Sequence, residues 1–223
     1  MTAISIGGFK DYLQRELQGK PILQRLESFI QDGTSTAGRR HEEVFTRQFL
    51  CPTIKSYFYD YARSALSLTD HDIMRGLGTE GFANCDGFGF TPARKKKHLF
   101  TKADIIKSDP PRSWFQASNE PLRGFQACPD FSISNPLPFS IVGEVKYFRG
   151  GTPEGAVRDL YDAARQAIFY LGAFNGTYDT AMVVIADCSP DYTFHEGLQL
   201  LRHELLERFT DETNIHLLTL KLS

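Results

Sequence analysis

The chain is poor in cysteine and never clusters it. Its four cysteines stand at 51, 85, 128 and 188, with no Cys-x-x-Cys pair among 223 residues. Zinc ribbons and fingers are excluded by that spacing, and an iron–sulfur cluster would lack its closely spaced ligands. Reduced thiols in a cytosolic protein fit better. An excess of charge of one sign is missing too. With 25 Lys and Arg against 27 Asp and Glu, the formal net charge is −2. The chain does not coat a polyanion by bulk electrostatics, so any basic surface must be local. No apolar run is long enough to span a bilayer. The first residues lack the charged start and apolar segment of a secretory signal, so a cytoplasmic location with no membrane contact is expected. No Walker loop is found, so no nucleotide cofactor is expected, and no Gly-x-Ser-x-Gly marks a serine nucleophile. Internal repeats and low-complexity linkers are absent. One domain with a single substantial core is the natural reading of this length.

What the chain does have is a set of charged residues in apolar settings. Glu144-Val145-Lys146 lies within residues 140–148, a run that reads as a strand. Side chains alternate along a strand, so Glu144 and Lys146 share one face while Val145 and Tyr147 point into the opposite layer. Asp130 follows Pro129 in a second short strand candidate, and Asn-Pro-Leu-Pro at 135–138 marks a turn between the two. A hairpin would bring Asp130 beside Glu144. Two carboxylates at one spot repel unless a cation neutralises them. All-oxygen ligands favour a hard ion, magnesium or manganese, over zinc. Such an ion can bind a phosphodiester oxygen and lower the pKa of a bound water, and a nearby lysine can orient that water or contact the phosphate. The same residues could also be a solvated ion pair on a strand. Their apolar surroundings weigh against that, because a charge there is costly unless paired or metal-bound.

Further motifs flank this pair in order. Gly-Arg-Arg-His-Glu occupies 38–42, and Gln166 and Tyr170 form a Gln-x-x-x-Tyr on a helix after the Glu-x-Lys strand. With Asp130 and Glu144-Val145-Lys146, the ordered set over roughly residues 38–187 resembles the PD-(D/E)xK nuclease superfamily, with the Gln-x-x-x-Tyr of its RecB-like members. The resemblance implies an α/β, three-layer restriction-endonuclease-like fold, a central mixed β-sheet flanked by helices. It implies a Mg2+-dependent deoxyribonuclease in which Mn2+ may substitute, acting on DNA. Asp130 and Glu144 would ligate the metal and Glu42 would complete the acidic site. Lys146 would act on the attacking water. Gln166 and Tyr170 would support the site or contact the nucleic acid. Glu43 rivals Glu42, which is preferred because Phe45 and Phe49 fall on its side of the helix. Basic groups for the nucleic acid are Arg149, Arg158 and Arg165 around the site, and Lys95, Lys96 and Lys97 in a loop.

The remaining chain reads as follows. Residues 9–31 form a helical segment interrupted near Gly19 and Pro21, within a helical N-terminal part of about 1–37. A loop at 32–38 precedes the helix with Glu42, Phe45 and Phe49, which resumes as a new segment past Pro52 to Tyr61. A short helix is expected over 69–74 and a glycine-interrupted strand over 81–90. The insert of about 88–127 mixes basic, proline and aromatic residues, among them the single tryptophan, Trp114; it either holds recognition loops, with Trp114 or Phe115 stacking on a base, or is pinned to the core by those aromatics. Thr152 caps a helix that opens on Pro153 and runs to about Phe174, with an apolar stripe of Val157, Leu160, Tyr161, Ala164, Ala167, Ile168 and Leu171. Residues 180–186 are a buried strand, 194–209 an amphipathic helix and 215–222 a final strand. His195, Glu196 and His203 fall on the exposed side of that helix. Both a restriction-type endonuclease, expected to be a homodimer, and a RecB-like repair nuclease remain open. A rival of another class is a catalytically inactive nuclease-fold protein that binds nucleic acid or a protein partner.

Overall fold

A computed structural model describes residues 5–31, 39–67, 69, 129–133, 139–173, 178–190, 193–200 and 213–223. Helix α1 spans Ile6–Leu17 and opens on Ser5, whose Oγ accepts from the Gly8 N–H at 3.1 Å. Phe9, Leu13 and Leu17 repeat every turn and are buried. The chain turns at Gly19, where φ is +105° and a side chain would be strained. Helix α2, Lys20–Gln31, then starts with Pro21 in its first turn, where no N–H is needed. The predicted interruption is therefore a tight corner between two helices.

Helix α3 spans Arg39–Phe45, and α4 spans Cys51–Ser64. The expected break before Pro52 is instead a wide π-turn, Thr46–Leu50, through which the two helices run continuously. Proline lacks an N–H and crowds the preceding turn. Widening that turn lets the Cys51 N–H reach Thr46 O and leaves Pro52 in the first turn of α4. Phe45 and Phe49 stay on one side and stack at 6.4 Å.

The sheet runs β1 (Phe131–Ile133), β2 (Ile141–Phe148), β3 (Thr180–Asp187), β4 (Ile215–Lys221), in that spatial order. β1 is antiparallel to β2, whereas β2, β3 and β4 are parallel. Parallel neighbours need a crossover. Helix α5, Pro153–Ala173, supplies it between β2 and β3, and α6, Thr193–Leu200, lies between β3 and β4. Thr152 caps α5 as expected, its Oγ1 accepting from the Gly155 N–H at 3.2 Å. Side-chain alternation divides the core into two. Ile141 and Val145 of β2 join Met182, Val184, Leu218 and helices α1 to α4. Val142 and Phe148 join Val183, Ile185 and helices α5 and α6. The architecture is α/β, with helices on both faces of a small mixed sheet.

One reading of α5 needs correction. Tyr161 and Ile168, expected on its apolar stripe, are 65 % and 50 % exposed. The buried face is Ala156, Leu160, Ala163, Ala164, Ala167 and Tyr170. Small residues let α5 approach its neighbours closely, so its centre lies on the alanines rather than on the largest apolar groups. The contact with α6 shows how close: a methyl at Gly197 would lie 2.7 Å from Pro153 O. The turn at 135–138, the loop at 32–38, the expected elements over 70–90, the insert of 88–127 and residues 201–212 lie outside the described residues. Among the described residues, no helix is long and apolar enough to cross a membrane.

Candidate functional site

The hairpin forms and sets the first part of the site. Phe131 pairs with Gly143, and the Asp130 N–H donates to Gly143 O at 2.9 Å. Gly143 is required there, since a Cβ at that position would sit 2.0 Å from the Phe131 ring. Asp130 turns its carboxylate toward β2, where Oδ2 accepts from the Val145 N–H at 2.7 Å. Two residues of backbone pairing thus place Asp130 beside the Glu-x-Lys strand.

Glu144 and Lys146 share the face of β2 that looks toward α5. Glu144 is only 4 % exposed, and such a buried carboxylate needs donors. Lys146 Nζ donates to Glu144 Oε1. The Tyr170 hydroxyl, itself buried, donates to Oε2 at 2.9 Å. With its amide oriented to donate, Gln166 Nε2 lies 2.5 Å from Oε1 and 3.3 Å from Oε2. Gln166 and Tyr170, one helical turn apart, therefore converge on one carboxylate from α5.

Electrostatics bring Glu42 into the same cluster. Asp130 is pushed up to about 8, first by burial, then by the charge of Glu144 and also by that of Glu42. The Val145 N–H and Lys146 oppose the rise. For Lys146, burial is the largest influence and acts downward. The charge and hydrogen bond of Glu144, with Glu42 and Asp130, outweigh it and raise the ammonium above its ordinary value. Glu42, Asp130, Glu144 and Lys146 thus feel one another, although they come from three distant stretches of sequence. The Glu43 side chain lies outside the described residues, so of the rival pair only Glu42 is placed.

Three mutually repelling carboxylates against one lysine form an oxygen-rich, net-negative spot. Asp130, Glu144 and Glu42 are the donors that could hold a hard divalent ion, and the raised Asp130 is the strain such an ion would relieve. As the side chains stand, Lys146 supplies part of that compensation, and among the described residues no three His, Cys, Asp or Glu groups are drawn together tightly enough to cage an ion.

Arg149 stands exposed one residue beyond β2. Arg158 and Arg165 are exposed on α5, beside Asp159 at 4.0 Å and Asp162 at 3.4 Å. Lys95, Lys96 and Lys97 lie outside the described residues. His41 and Tyr147 are not among the site residues the sequence suggests, yet their rings meet at 5.1 Å on the face of β2 opposite Glu144 and Lys146. Their adjacency in sequence to Glu42 and Lys146 was the available signal. Tyr147 and Cys188 are both pushed up: burial first, then the contact with Cys188, raises the phenol, and burial pushes the thiol up to about 12 against the opposing hydrogen bond of Tyr147. Comparison of the chain with known protein families, curated proteins and solved structures finds no match, so the reading of this site rests on its own geometry.

Proposed function

We propose that the chain is a magnesium-dependent DNA nuclease of the restriction-endonuclease-like type. The observation that carries the reading is the convergence of Glu42, Asp130, Glu144 and Lys146, with Gln166 and Tyr170 closing on Glu144. Backbone binding alone does not call for a buried acid cluster of this kind, and phosphodiester hydrolysis does.

Asp130, Glu144 and Glu42 would hold Mg2+, or Mn2+ in its place, which would supply a Lewis acid for the phosphodiester oxygen and a more acidic bound water. The chain's own residues do the rest. The Val145 N–H fixes the Asp130 carboxylate. Tyr170 and Gln166 fix that of Glu144, so neither donor must be ordered when substrate arrives. Lys146, an ammonium beside Glu144, would orient the attacking water and contact the phosphate as negative charge develops. A water oxygen would bond to phosphorus as its proton passes to solvent, while the bond to the sugar oxygen breaks and that oxygen takes up a proton. The long undescribed insert and the Gln-x-x-x-Tyr leave both a restriction-type and a RecB-like repair role in view.

Purified protein is expected to cut DNA in magnesium and not in chelator. Asp130→Ala and Lys146→Ala are each expected to lower the rate by at least about 100-fold, the scale of losing a positioned proton-transfer or charge-stabilising group. Cutting by both variants at the wild-type rate would remove the assignment. Degradation of closed circular DNA would mark an endonuclease, and strict dependence on free ends an exonuclease. No cleavage of any circular, linear, single-stranded or branched substrate, with no metal affinity, would favour the inactive binding protein.

A further inference from the structure

Arg149 is held in an unusual way. It leaves β2 just before Gly150 and Gly151, whose φ of +120° and +152° turn the chain away from it. Arg149 Nη2 meets both ring nitrogens of His41, Nε2 and, at 2.9 Å, Nδ1. On another side the guanidinium carbon lies 5.9 Å from the centroid of the Tyr147 ring, which His41 also packs against. Two aromatic rings therefore seat the guanidinium. Among the described residues no carboxylate pairs with Arg149, whereas Arg158 and Arg165 each stand beside an acid of their own helix. Seated on rings rather than on a carboxylate, it keeps its charge and its fork of N–H donors for an outside acceptor.

The position suits a polyanion. His41 adjoins Glu42, and Arg149 follows Lys146 by three residues. At strand rise this is about 10 Å, or about three base steps of one DNA strand. The acid cluster repels a phosphate backbone, so a cation at this distance would hold the strand without competing for the metal donors. We propose that Arg149, seated by His41 and stacked on Tyr147, is a phosphate-binding subsite for the DNA backbone a few nucleotides from the scissile bond, with His41 as its positioning residue. This deepens the nuclease reading and rests on it for the subsite's purpose, but backbone binding can be measured apart from cleavage.

The test is fluorescence anisotropy of a labelled DNA duplex with the full chain in chelator, over a salt series, with magnesium cleavage run in parallel. Arg149→Ala is expected to weaken binding about 10-fold and to lower the slope of log affinity against log salt by about 0.9, the loss of one phosphate contact. Arg149→Lys should keep the slope but not the full affinity, because a point charge replaces a fork. His41→Ala should lose part of the affinity, and His41→Gln, which can still accept from arginine, should recover it. Unchanged affinity and slope in Arg149→Ala overturn the subsite, and if the wild type still cuts, the nuclease reading stands without it. Arg149-dependent binding with no cleavage keeps the subsite and removes the nuclease reading. A wild type that neither binds nor cuts overturns both. If His41→Gln recovers nothing, the positioning role is overturned.

Discussion

At the scale of single residues, Glu144 shows how the site is held. Three donors from two elements converge on a carboxylate that is almost wholly removed from water. Tyr170→Phe keeps the ring and deletes one donor. Hydrogen bonds to charged groups contribute about 1.5–3 kcal/mol, so urea unfolding should show a loss of that size. Unchanged stability would mean that Lys146 and Gln166 satisfy Glu144 without Tyr170. Asp130 gives a pH signature. Its carboxyl ionises near its ordinary 3.8 when unfolded and near 8 when folded. The folded chain therefore binds the proton more tightly. That contribution is fully present below about pH 4 and is lost as pH rises through about 8. In chelator, the wild-type urea midpoint should fall across this window relative to Asp130→Asn, in which the group no longer titrates. Parallel pH profiles for the two proteins would contradict the raised carboxyl.

At the scale of elements, the hairpin is the part on which the site depends. The Gly143–Phe131 contact that seats β1 on β2 also fixes Asp130, because the same glycine carbonyl takes the Asp130 N–H. Gly143→Ala must push the Phe131 ring aside. Overpacking of this kind costs about 1–3 kcal/mol. Its effect on magnesium-dependent cleavage should exceed what that loss of stability explains, since Asp130 moves with the strand. Phe131→Leu in the same chain should recover part of both, because the two residues share one contact. Simple additivity in the double variant would show that the ring is not what crowds position 143. The hairpin was legible because a proline-marked turn and strict alternation both point to it. The helix contacts were less legible. A stripe drawn through the largest apolar residues of α5 misplaced Tyr161 and Ile168, since alanines set the closest approach. The π-turn before Pro52 was hidden too: proline announces a disturbance but not whether the helix breaks or widens.

At the scale of the whole molecule, β3 is the centre. All eight of its residues are buried, and it pairs with β2 on one side and β4 on the other. Its amides should exchange with deuterium most slowly, and those of the three-residue β1 sooner, because slow exchange follows burial and pairing on both edges. Faster exchange in β3 than in β1 would place the stable core elsewhere. The arrangement also separates what the sequence determined alone from what the tertiary structure decided. Strand alternation put Glu144 and Lys146 on one face, and helical spacing put Gln166 and Tyr170 one turn apart. Both are local periodicities of the backbone, so they need no partner to be read. Which carboxylate those two residues would meet, that Glu42 would act on Asp130, and that His41 would meet Arg149 are contacts across more than a hundred residues of chain in some cases. Such contacts depend on how the helices of the two core layers close over the sheet. Packing decides that only when every element is in place.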